Sequence, residues 1–303
     1  MRLSFQGSCR LHPTQPYEFA FSLREVGWYP LDVTERVSDD ALLRGFRLQN
    51  GRPLLTITRK TTGEALETAI YAGAPVDFTE VTAGVTALLN LDLNLKNWYA
   101  TVSKDDPMHR IIRTLSGFKP LAKPTIFESL VTAILEQQLN VEFACTLETR
   151  LIQTYGTKLE TDAGTAWLFP APESLAALDY DALRPLQISG AKSRYIIDIA
   201  RSIASREVQP ESWRAFPDDQ LMDHLLALRG VGRWTAEYVA MIGYRRYNHA
   251  PAADVGLRNA VSALTGSPEQ LPETATRNYL ARWNRYRGLA TVYIWHAFAV
   301  GIL

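Results

Sequence analysis

The sequence predicts a mainly α-helical protein that begins with an α+β domain containing a small antiparallel sheet. Residues 1–104 carry strand and hairpin patterns, whereas from Pro107 onward the apolar residues recur mainly at helical spacing. A length of 303 residues is enough for about two domains. We therefore expect an N-terminal domain over residues 1–104 and a helical region over residues 105–303.

The N-terminal domain is predicted from three short patterns. Residues 17–21 alternate aromatic and other side chains, which indicates a strand. Residues 44–49 and 54–58 flank Asn50-Gly51, the residue pair preferred in tight β-hairpins. Residues 81–89 are compatible with a helix. Such a domain can be a structural cap without chemistry of its own.

In the helical region, a capping box and a polar break define two consecutive helices. Thr125 and Glu128 stand at capping-box spacing in front of an apolar stripe. The stripe ends at residues 137–140, which we call the wedge segment, and a second helix ends at Gly156. Residues 167–172, which include two prolines, are interpreted as a connector.

A short glycine-containing turn joins another pair of helices. Asp218 and Asp219 stand where helix N-caps stand, and the helix that follows ends at residues 229–232, Arg-Gly-Val-Gly, which we call the hairpin turn. Glycine allows backbone angles that other residues resist, so the chain turns there and a second helix starts at Arg233. N–H groups at a helix start suit a phosphate. Taken alone, such a turn is often only a turn.

The longer motif around this turn resembles a known family. It consists of Leu225, Leu228, Gly230, Val231, Gly232, Thr235, Ala236 and, further on, the isolated Asp254. It resembles the helix-hairpin-helix superfamily of DNA base-excision glycosylases, and residues 232–238 look most like the alkylbase branch, DNA-3-methyladenine glycosylase II. The resemblance covers about residues 108–303. It implies two helical subdomains, about 126–247 and 105–125 plus 248–303.

The resemblance implies that Asp254 is the catalytic residue. Breaking an N-glycosidic bond puts positive charge on the sugar, which a facing carboxylate stabilises while orienting the attacking water. An alkylated purine with a formal positive charge leaves readily, so no protonating acid is required; Ala253 stands where some relatives have a second acid. The alternative role of Asp254 is the N-cap of a helix from Val255, and one residue can serve both roles.

The resemblance also implies a base pocket and a wedge. Trp234, Tyr238 and Trp295 match positions that line the family's pocket, and such rings attract a cationic base by about 0.5–2 kcal/mol. Core packing is the alternative role of each ring. Within the wedge segment, Gln138 matches the side chain that enters the duplex, and Leu139 is its neighbour. A plain helix–helix turn is the alternative for this segment.

DNA backbone contacts are implied for the hairpin turn and the helix after it. The residues concerned are Gly230, Val231, Gly232, Arg233 and Thr235. The resemblance further implies that the backbone carbonyls of Leu226, Leu228 and Val231 hold a monovalent or divalent cation that bridges to a phosphate. No cofactor is expected for catalysis.

Composition and residue counts narrow the function. The 32 basic and 32 acidic residues balance, which argues against an extended nonspecific nucleic-acid binder. Positive charge is predicted to be local, through the arginines of residues 229–258. The two cysteines exclude a four-cysteine iron–sulfur cluster within this chain. Members of the family that cut the strand carry a Schiff-base lysine in the second hairpin helix, and this sequence has no lysine after Lys192. The resemblance therefore implies base removal without strand cleavage.

The sequence thus predicts a monofunctional glycosylase for alkylated, cationic purines such as 3-methyladenine. Two alternatives remain at this point: a glycosylase for oxidised, deaminated or mismatched bases, and a non-catalytic DNA-binding protein that only grips phosphates. The expected partner is double-stranded DNA carrying alkylated bases, and no membrane contact is expected. We expect a monomer that is cytoplasmic and associated with the nucleoid.

Overall fold

The N-terminal part of the protein is a curved antiparallel sheet with helices on one face. The computed structural model describes residues 1–27, 32–48 and 50–303. Within these residues, five strands form a sheet in the order β1-β5-β4-β3-β2, and each neighbouring pair is antiparallel. The elements are β1 (Ser4–Leu11), α1 (Phe19–Gly27), β2 (Glu35–Ser38), β3 (Ala41–Arg47), β4 (Pro53–Lys60), β5 (Leu66–Ala72) and α2 (Phe78–Leu88). The predicted α+β fold with a small antiparallel sheet is confirmed.

The predicted hairpin and the predicted helix are both present. Strands β3 and β4 pair in register from Ala41 opposite Arg59 to Arg47 opposite Pro53. Gly51 adopts φ +80° in the connecting turn, whereas Gln49 lies outside the described residues. Helix α2 begins three residues before the prediction, because the Asp77 side chain accepts a hydrogen bond from the backbone N–H of its first turn.

The predicted strand at residues 17–21 is wrong, because helix α1 begins at Phe19. The buried side chains of this segment are Phe19, Ser22 and Val26, which recur at helical and not at strand spacing. Three alternating aromatic residues are too short a pattern to specify a strand once the longer helical period is available. Phe21 packs edge-on against Phe118, at 6.1 Å between ring centroids.

The rest of the chain is mainly helical, as predicted. Its elements are α3 (Lys96–Tyr99), α4 (Pro107–Thr114), α5 (Ile126–Glu136), α6 (Val141–Tyr155), β6 (Thr157–Thr161), β7 (Gly164–Leu168), α7 (Pro172–Ala176), α8 (Gly190–Ala204), α9 (Asp218–Ala227), α10 (Arg233–Ile242), α11 (Val255–Thr265), α12 (Glu273–Ala281) and α13 (Arg287–Ala299). No helix among the described residues is both long and apolar enough to cross a membrane.

The hairpin β6–β7 was not predicted, and it covers the second face of the N-terminal sheet. Leu159 and Leu168 of this hairpin are buried against Leu43 and Ile57 of the sheet. The start of the hairpin also pairs with the N-terminus, where the backbone N–H of Leu3 donates to the carbonyl of residue 160 at 2.8 Å. The interpretation of residues 167–172 as a connector is therefore wrong at its start, which belongs to β7.

Two apolar cores fill the helical region, and helix α10 belongs to both. The first core is formed by α5, α6, α8, α9 and α10, and the second by α4, α11, α12 and α13 together with residues 95–102. Ala240 lies in the first core and Met241 in the second. The predicted boundaries at residue 104 and within the helical region stay predictions.

A buried ion pair joins the sheet to helix α5. The hydroxyl of Thr125 accepts from the backbone N–H of Glu128 at 3.1 Å, which is the first half of the predicted capping box. The Glu128 carboxylate instead lies 2.5 Å from a guanidinium nitrogen of Arg44, a β3 residue whose side chain is 1% exposed. Arg44 also pairs with Glu35 at 3.3 Å. The orientation of α5 relative to the sheet is therefore fixed by charged as well as apolar contacts.

Candidate active site and DNA-binding hairpin

The hairpin turn joins α9 to α10 as the sequence predicts, with a different residue at the N-cap of α9. Pro217 occupies that cap, and Asp218 and Asp219 lie in the first turn. The backbone N–H of Val231 donates to the Leu228 carbonyl at 3.1 Å and closes the turn. Gly230 adopts φ +87°, and a Cβ atom there would lie 2.3 Å from the ring of Tyr195. Both the angle and the close approach require glycine at this position.

The two glycines of the hairpin turn have different roles. Gly232 has φ −85°, which any residue adopts, and a Cβ atom there would have no neighbour within 4 Å. Its N–H group lies at the start of α10, on the open side of the turn. Arg233 follows with an exposed side chain, whose guanidinium is 3.1 Å from Glu237. The surface in front of Gly232 is thus open and carries a positive side chain.

The side chain of Thr235 faces inward and ties α10 to the wedge segment. It is buried, and its hydroxyl accepts a hydrogen bond from the Gln137 side-chain amide at 2.9 Å. The same amide donates to the Gly230 carbonyl at 2.9 Å. Because this side chain is buried, only the backbone of Thr235 is available for a contact with DNA. The hairpin turn and the wedge segment form one connected unit.

The predicted positive patch is smaller than the sequence suggested. Arg245 binds the side chains of Asn90 and Asp92, and Arg258 donates to the Leu271 carbonyl at 2.7 Å. Arg246 donates to two backbone carbonyls at 2.9 and 3.0 Å. These three guanidinium groups are occupied by structural contacts, which the charge pattern alone did not reveal. Arg229 and Arg233 keep side chains that are 66% exposed at the hairpin turn.

Asp254 is the N-cap of α11 and also the acceptor for two indole groups. Its Oδ1 accepts from the backbone N–H of Leu257 at 2.7 Å and from Trp295 Nε1 at 3.3 Å. Its Oδ2 accepts from Trp234 Nε1 at 3.2 Å. All three partners are N–H donors, which match an ionised carboxylate. The three hydrogen bonds fix the position of the carboxylate. Asp254 remains partly exposed, so a ligand can still approach it.

Three aromatic side chains form a cluster at this carboxylate, two of them by donating to it. Trp234 and Tyr238 lie on successive turns of α10 and stack at 5.4 Å between ring centroids with an interplanar angle of 21°. Trp295 approaches from α13, with its centroid 6.5 Å from that of Tyr238. All three rings are partly exposed, unlike the aromatic residues of the two cores. Because Trp234 and Tyr238 pack against the first core and Trp295 against the second, the rings line the seam between the two cores.

The wedge segment is a rigid, exposed turn next to this seam. Gln138 adopts φ +56°, and Leu139 is 37% exposed. The Asn140 side chain accepts from the N–H of Phe143 at 2.8 Å and caps α6. Lys192 Nζ donates to the Leu135 and Gln137 carbonyls at 2.8 Å each. Gln138 and Leu139 are therefore exposed to solvent, and the backbone that precedes them is held by the hydrogen bonds from Lys192.

Glu136 is a site residue that the sequence did not identify. It is the last residue of α5, and its carboxylate accepts a hydrogen bond from the Tyr238 side chain. Burial raises the pKa of Glu136 to about 8, and the negative charge of Glu148 contributes to this rise. A sequence signal exists, since an acidic residue at a helix C-terminus is opposed by the helix dipole. It went unnoticed because the carboxylate follows an apolar stripe.

Comparison with known proteins identifies the family. A sequence model of the HhH-GPD superfamily of base excision DNA repair proteins matches residues 131–285, which include the wedge segment, the hairpin turn and Asp254. The chain belongs to the HhH-GPD superfamily. The helix-hairpin-helix resemblance that the motif carried is thereby confirmed.

Relatives of this HhH-GPD protein match nearly its whole length. It is 27% identical over 284 residues to a putative DNA-3-methyladenine glycosylase of Bacillus subtilis, covering 94% of this chain and 96% of the relative. It is 26% identical over 283 residues to DNA-3-methyladenine glycosylase 2 of Escherichia coli, covering 93% and 94%. The structure of a 3-methyladenine DNA-glycosylase from Archaeoglobus fulgidus matches with a TM-score of 0.85 at 22% identity, covering 96% and 98%, and confirms the fold.

Proposed function

We propose that this protein is a monofunctional DNA glycosylase that hydrolyses the N-glycosidic bond of cationic alkylated purines, such as 3-methyladenine, in double-stranded DNA. The observation that carries the proposal is the Asp254 carboxylate, held by two indole N–H groups and a backbone N–H beside three aromatic rings. A protein that only gripped DNA would need neither group. The names of the relatives favour the alkylbase substrate over oxidised or mismatched bases. Release of free 3-methyladenine from methylated duplex DNA tests the proposal.

The arrangement supports a dissociative hydrolysis. A flipped cationic purine would lie against the rings of Trp234, Tyr238 and Trp295, whose electron-rich faces favour positive charge. As the C–N bond breaks, its electron pair goes to the base and positive charge moves to the sugar. The fixed charge of Asp254 then stabilises the sugar cation, and water adds at C1′. The product is an abasic site, and no lysine follows Lys192 to cut the strand.

Backbone binding is assigned to the hairpin turn. N–H groups around Gly232 and Arg233 would meet a phosphate, with a cation held by the carbonyls of Leu226, Leu228 and Val231 as a bridge. Among the described residues no cluster of His, Cys, Asp and Glu side chains suits a metal, so such a cation would depend on carbonyl ligands. The monomeric state and the association with the nucleoid remain part of this proposal.

Gly232→Leu is expected to weaken DNA binding without disturbing the fold. The position has an ordinary φ and open space, so a leucine would point toward the phosphate. The dissociation constant at physiological salt should rise at least about tenfold for every duplex sequence, because backbone contacts carry no sequence information. Gly73→Leu, at an exposed bend beyond β5, is the control. Unchanged affinity of Gly232→Leu for two unrelated duplexes would remove the hairpin turn from the DNA interface.

Replacing Gln138 and Leu139 together with alanine is expected to impair base flipping. Unstacking a base costs a few kcal/mol, and a side chain filling the gap offsets part of this cost. Excision from duplex DNA should therefore fall about tenfold more than excision from single strands, at about 1.4 kcal/mol per factor of ten. Val37→Ala, at an exposed apolar residue of β2, serves as the control. Equal losses on both substrates would show that the segment is only a turn.

A further inference from the structure

The carboxyl group of Glu136 is hydrogen-bonded to Tyr238, one of the three aromatic residues that line the seam. Its partner Tyr238 stacks on Trp234 and faces Trp295, the two residues that donate to Asp254. Glu136 is partly exposed, unlike the ten residues before it in α5, which are all buried. The aromatic cluster is therefore bonded to two carboxyl groups, Asp254 at the start of α11 through Trp234 and Trp295, and Glu136 at the end of α5 through Tyr238.

The backbone around Glu136 is fixed on both sides. Lys192 Nζ bonds to the carbonyls of the residues immediately before and after it. The Glu136 carbonyl accepts from the N–H of Leu139 at 3.2 Å, and the Gln137 side chain is bonded to the hairpin turn. A catalytic group must be held close to its productive geometry before the substrate arrives. These contacts hold the backbone of Glu136, and the hydrogen bond from Tyr238 holds its carboxyl group.

We propose that Glu136 is a second catalytic residue of this glycosylase, which donates its proton to the departing base when that base is neutral. The proposal rests on the proposed function and extends its substrates to neutral damaged purines. A neutral purine would otherwise leave as an anion, whereas a cationic alkylpurine leaves as a neutral molecule. The second acid that the sequence lacks beside Asp254, where Ala253 stands, is supplied from α5.

The proton and electron balance of the step is complete. The proton of the Glu136 carboxyl group moves to a ring nitrogen of the base, and the electron pair of the C–N bond goes to the base. The oxygen of water bonds to C1′, and the proton that this water releases passes to solvent. Solvent then returns a proton to Glu136. Asp254 stays ionised and stabilises the sugar cation throughout.

The surroundings keep a proton on Glu136 near neutral pH. Burial is the largest cause of its raised pKa, and the charges of Glu148 and Asp254 act in the same direction. The positive charge of Lys123 and the hydrogen bond from Tyr238 act in the opposite direction. A carboxyl group that keeps its proton near neutral pH is suited to act as a general acid. The titratable groups around Glu136 are Tyr238 of α10, Asp254 of α11, Cys145 and Glu148 of α6, Lys192 of α8, and Lys123 before α5.

The test compares release of a neutral base, 1,N6-ethenoadenine, with release of 3-methyladenine. Glu136→Gln keeps the size and the acceptor for Tyr238 but cannot donate an acidic proton. The ratio of the neutral-base rate to the 3-methyladenine rate should fall at least about 10²-fold, as for loss of a general acid. Glu142→Gln, at an exposed glutamate of α6, should leave the ratio as in the parent. An unchanged ratio for Glu136→Gln would overturn the proposal.

The pH profile of the unaltered protein tests the same step without a variant. Release of the neutral base should fall above a pH of about 8, by about tenfold per pH unit, because the proton on Glu136 is lost there. Release of 3-methyladenine should lack this decline. Tyr238→Phe should move the decline to higher pH, because the hydroxyl stabilises the ionised carboxylate. Parallel profiles for the two bases would overturn the role of Glu136.

The role of Glu136 and the proposed function are overturned by different results. Release of 3-methyladenine without any release of the neutral base would overturn the role of Glu136 and leave the proposed function standing. Release of neither base would overturn the proposed function itself. A folded Glu136→Gln variant is recognised by its unfolding midpoint and by its affinity for duplex DNA with an abasic-site mimic.

Discussion

Asp254→Asn should leave a folded protein that binds DNA and has nearly lost excision of 3-methyladenine. Asparagine caps helices as well as aspartate does, so the N–H of Leu257 keeps its acceptor. The variant loses the negative charge that faces the sugar cation, which typically costs about 10²–10³ in rate. With Oδ1 kept as the cap, the amide NH₂ would take the place of Oδ2 and face the indole N–H of Trp234. The measurement is single-turnover release of the base from methylated duplex DNA.

Asp77→Asn is the matched control for this prediction. Asp77 is likewise an N-cap aspartate, accepting from the N–H of Thr79 at 2.8 Å, but it lies at the start of α2 in the N-terminal domain. It should excise as fast as the parent. Binding to a duplex with an uncharged abasic-site mimic should survive in both variants, since phosphate contacts remain. If Asp254→Asn excises at the parental rate, Asp254 is a helix cap and nothing more.

Arg44→Met should cause the largest loss of stability among single substitutions at the junction of sheet and helices. Methionine fills most of the space of the arginine side chain. It leaves the buried carboxylates of Glu128 and Glu35 without their principal ion-pair partner. Removing one partner of a buried ion pair costs about 3–5 kcal/mol, because the remaining charge stays uncompensated. The measurement is the free energy of unfolding from urea titration.

Lys60→Met provides the comparison for that loss. Lys60 lies 3.2 Å from Glu18, and both side chains are well exposed. Exposed pairs contribute only about 0–1 kcal/mol, so the free energy of unfolding should change little. Equal free energies of unfolding for Arg44→Met and the parent would mean that the apolar contacts of the sheet with β6–β7 and α5 hold this junction without the ion pair.

The parts of the site that the sequence predicted are those that depend on neighbouring residues. The cap at Asp254 and the turn at Gly230 follow from local backbone rules. The pairing of Asp254 with Trp295 joins residues 41 apart, and local patterns carry no information about it. Its expectation came from resemblance to a family whose motifs fix those positions. The contacts of the two indole rings, Trp234 and Trp295, with the carboxylate then followed from the packing of α10 and α13.

What the sequence did not predict depends on tertiary context. The sequence predicts that Glu128 is a capping-box residue, but its carboxylate binds Arg44, which lies 84 positions earlier. Residues 17–21 alternate like a strand, but burial of Phe19 and Val26 on one helix face outweighs that short pattern. The alternating residues of β6 and β7 were present in the sequence. They were missed because the surrounding region is helical and the two strands are short.

The chemical role of Glu136 shows the same limit. Its identity and its place before the wedge segment are plain in the sequence, but its properties arise from Tyr238, Glu148 and Lys123 on other elements. A raised pKa results from the sum of these contacts and from burial. The structure therefore adds a second candidate acid to a site for which the sequence indicated only one.

Release of alkylated purines from DNA by the unaltered protein is the most direct test of the proposed function. Duplex DNA treated with a methylating agent is incubated with the unaltered protein, and free bases are identified by mass. We expect free 3-methyladenine among the released bases and abasic sites equal in amount to all released purines, with the strands uncut until they are treated with alkali. Binding of the duplex without release of any base would contradict the account and would favour a non-catalytic DNA-binding protein.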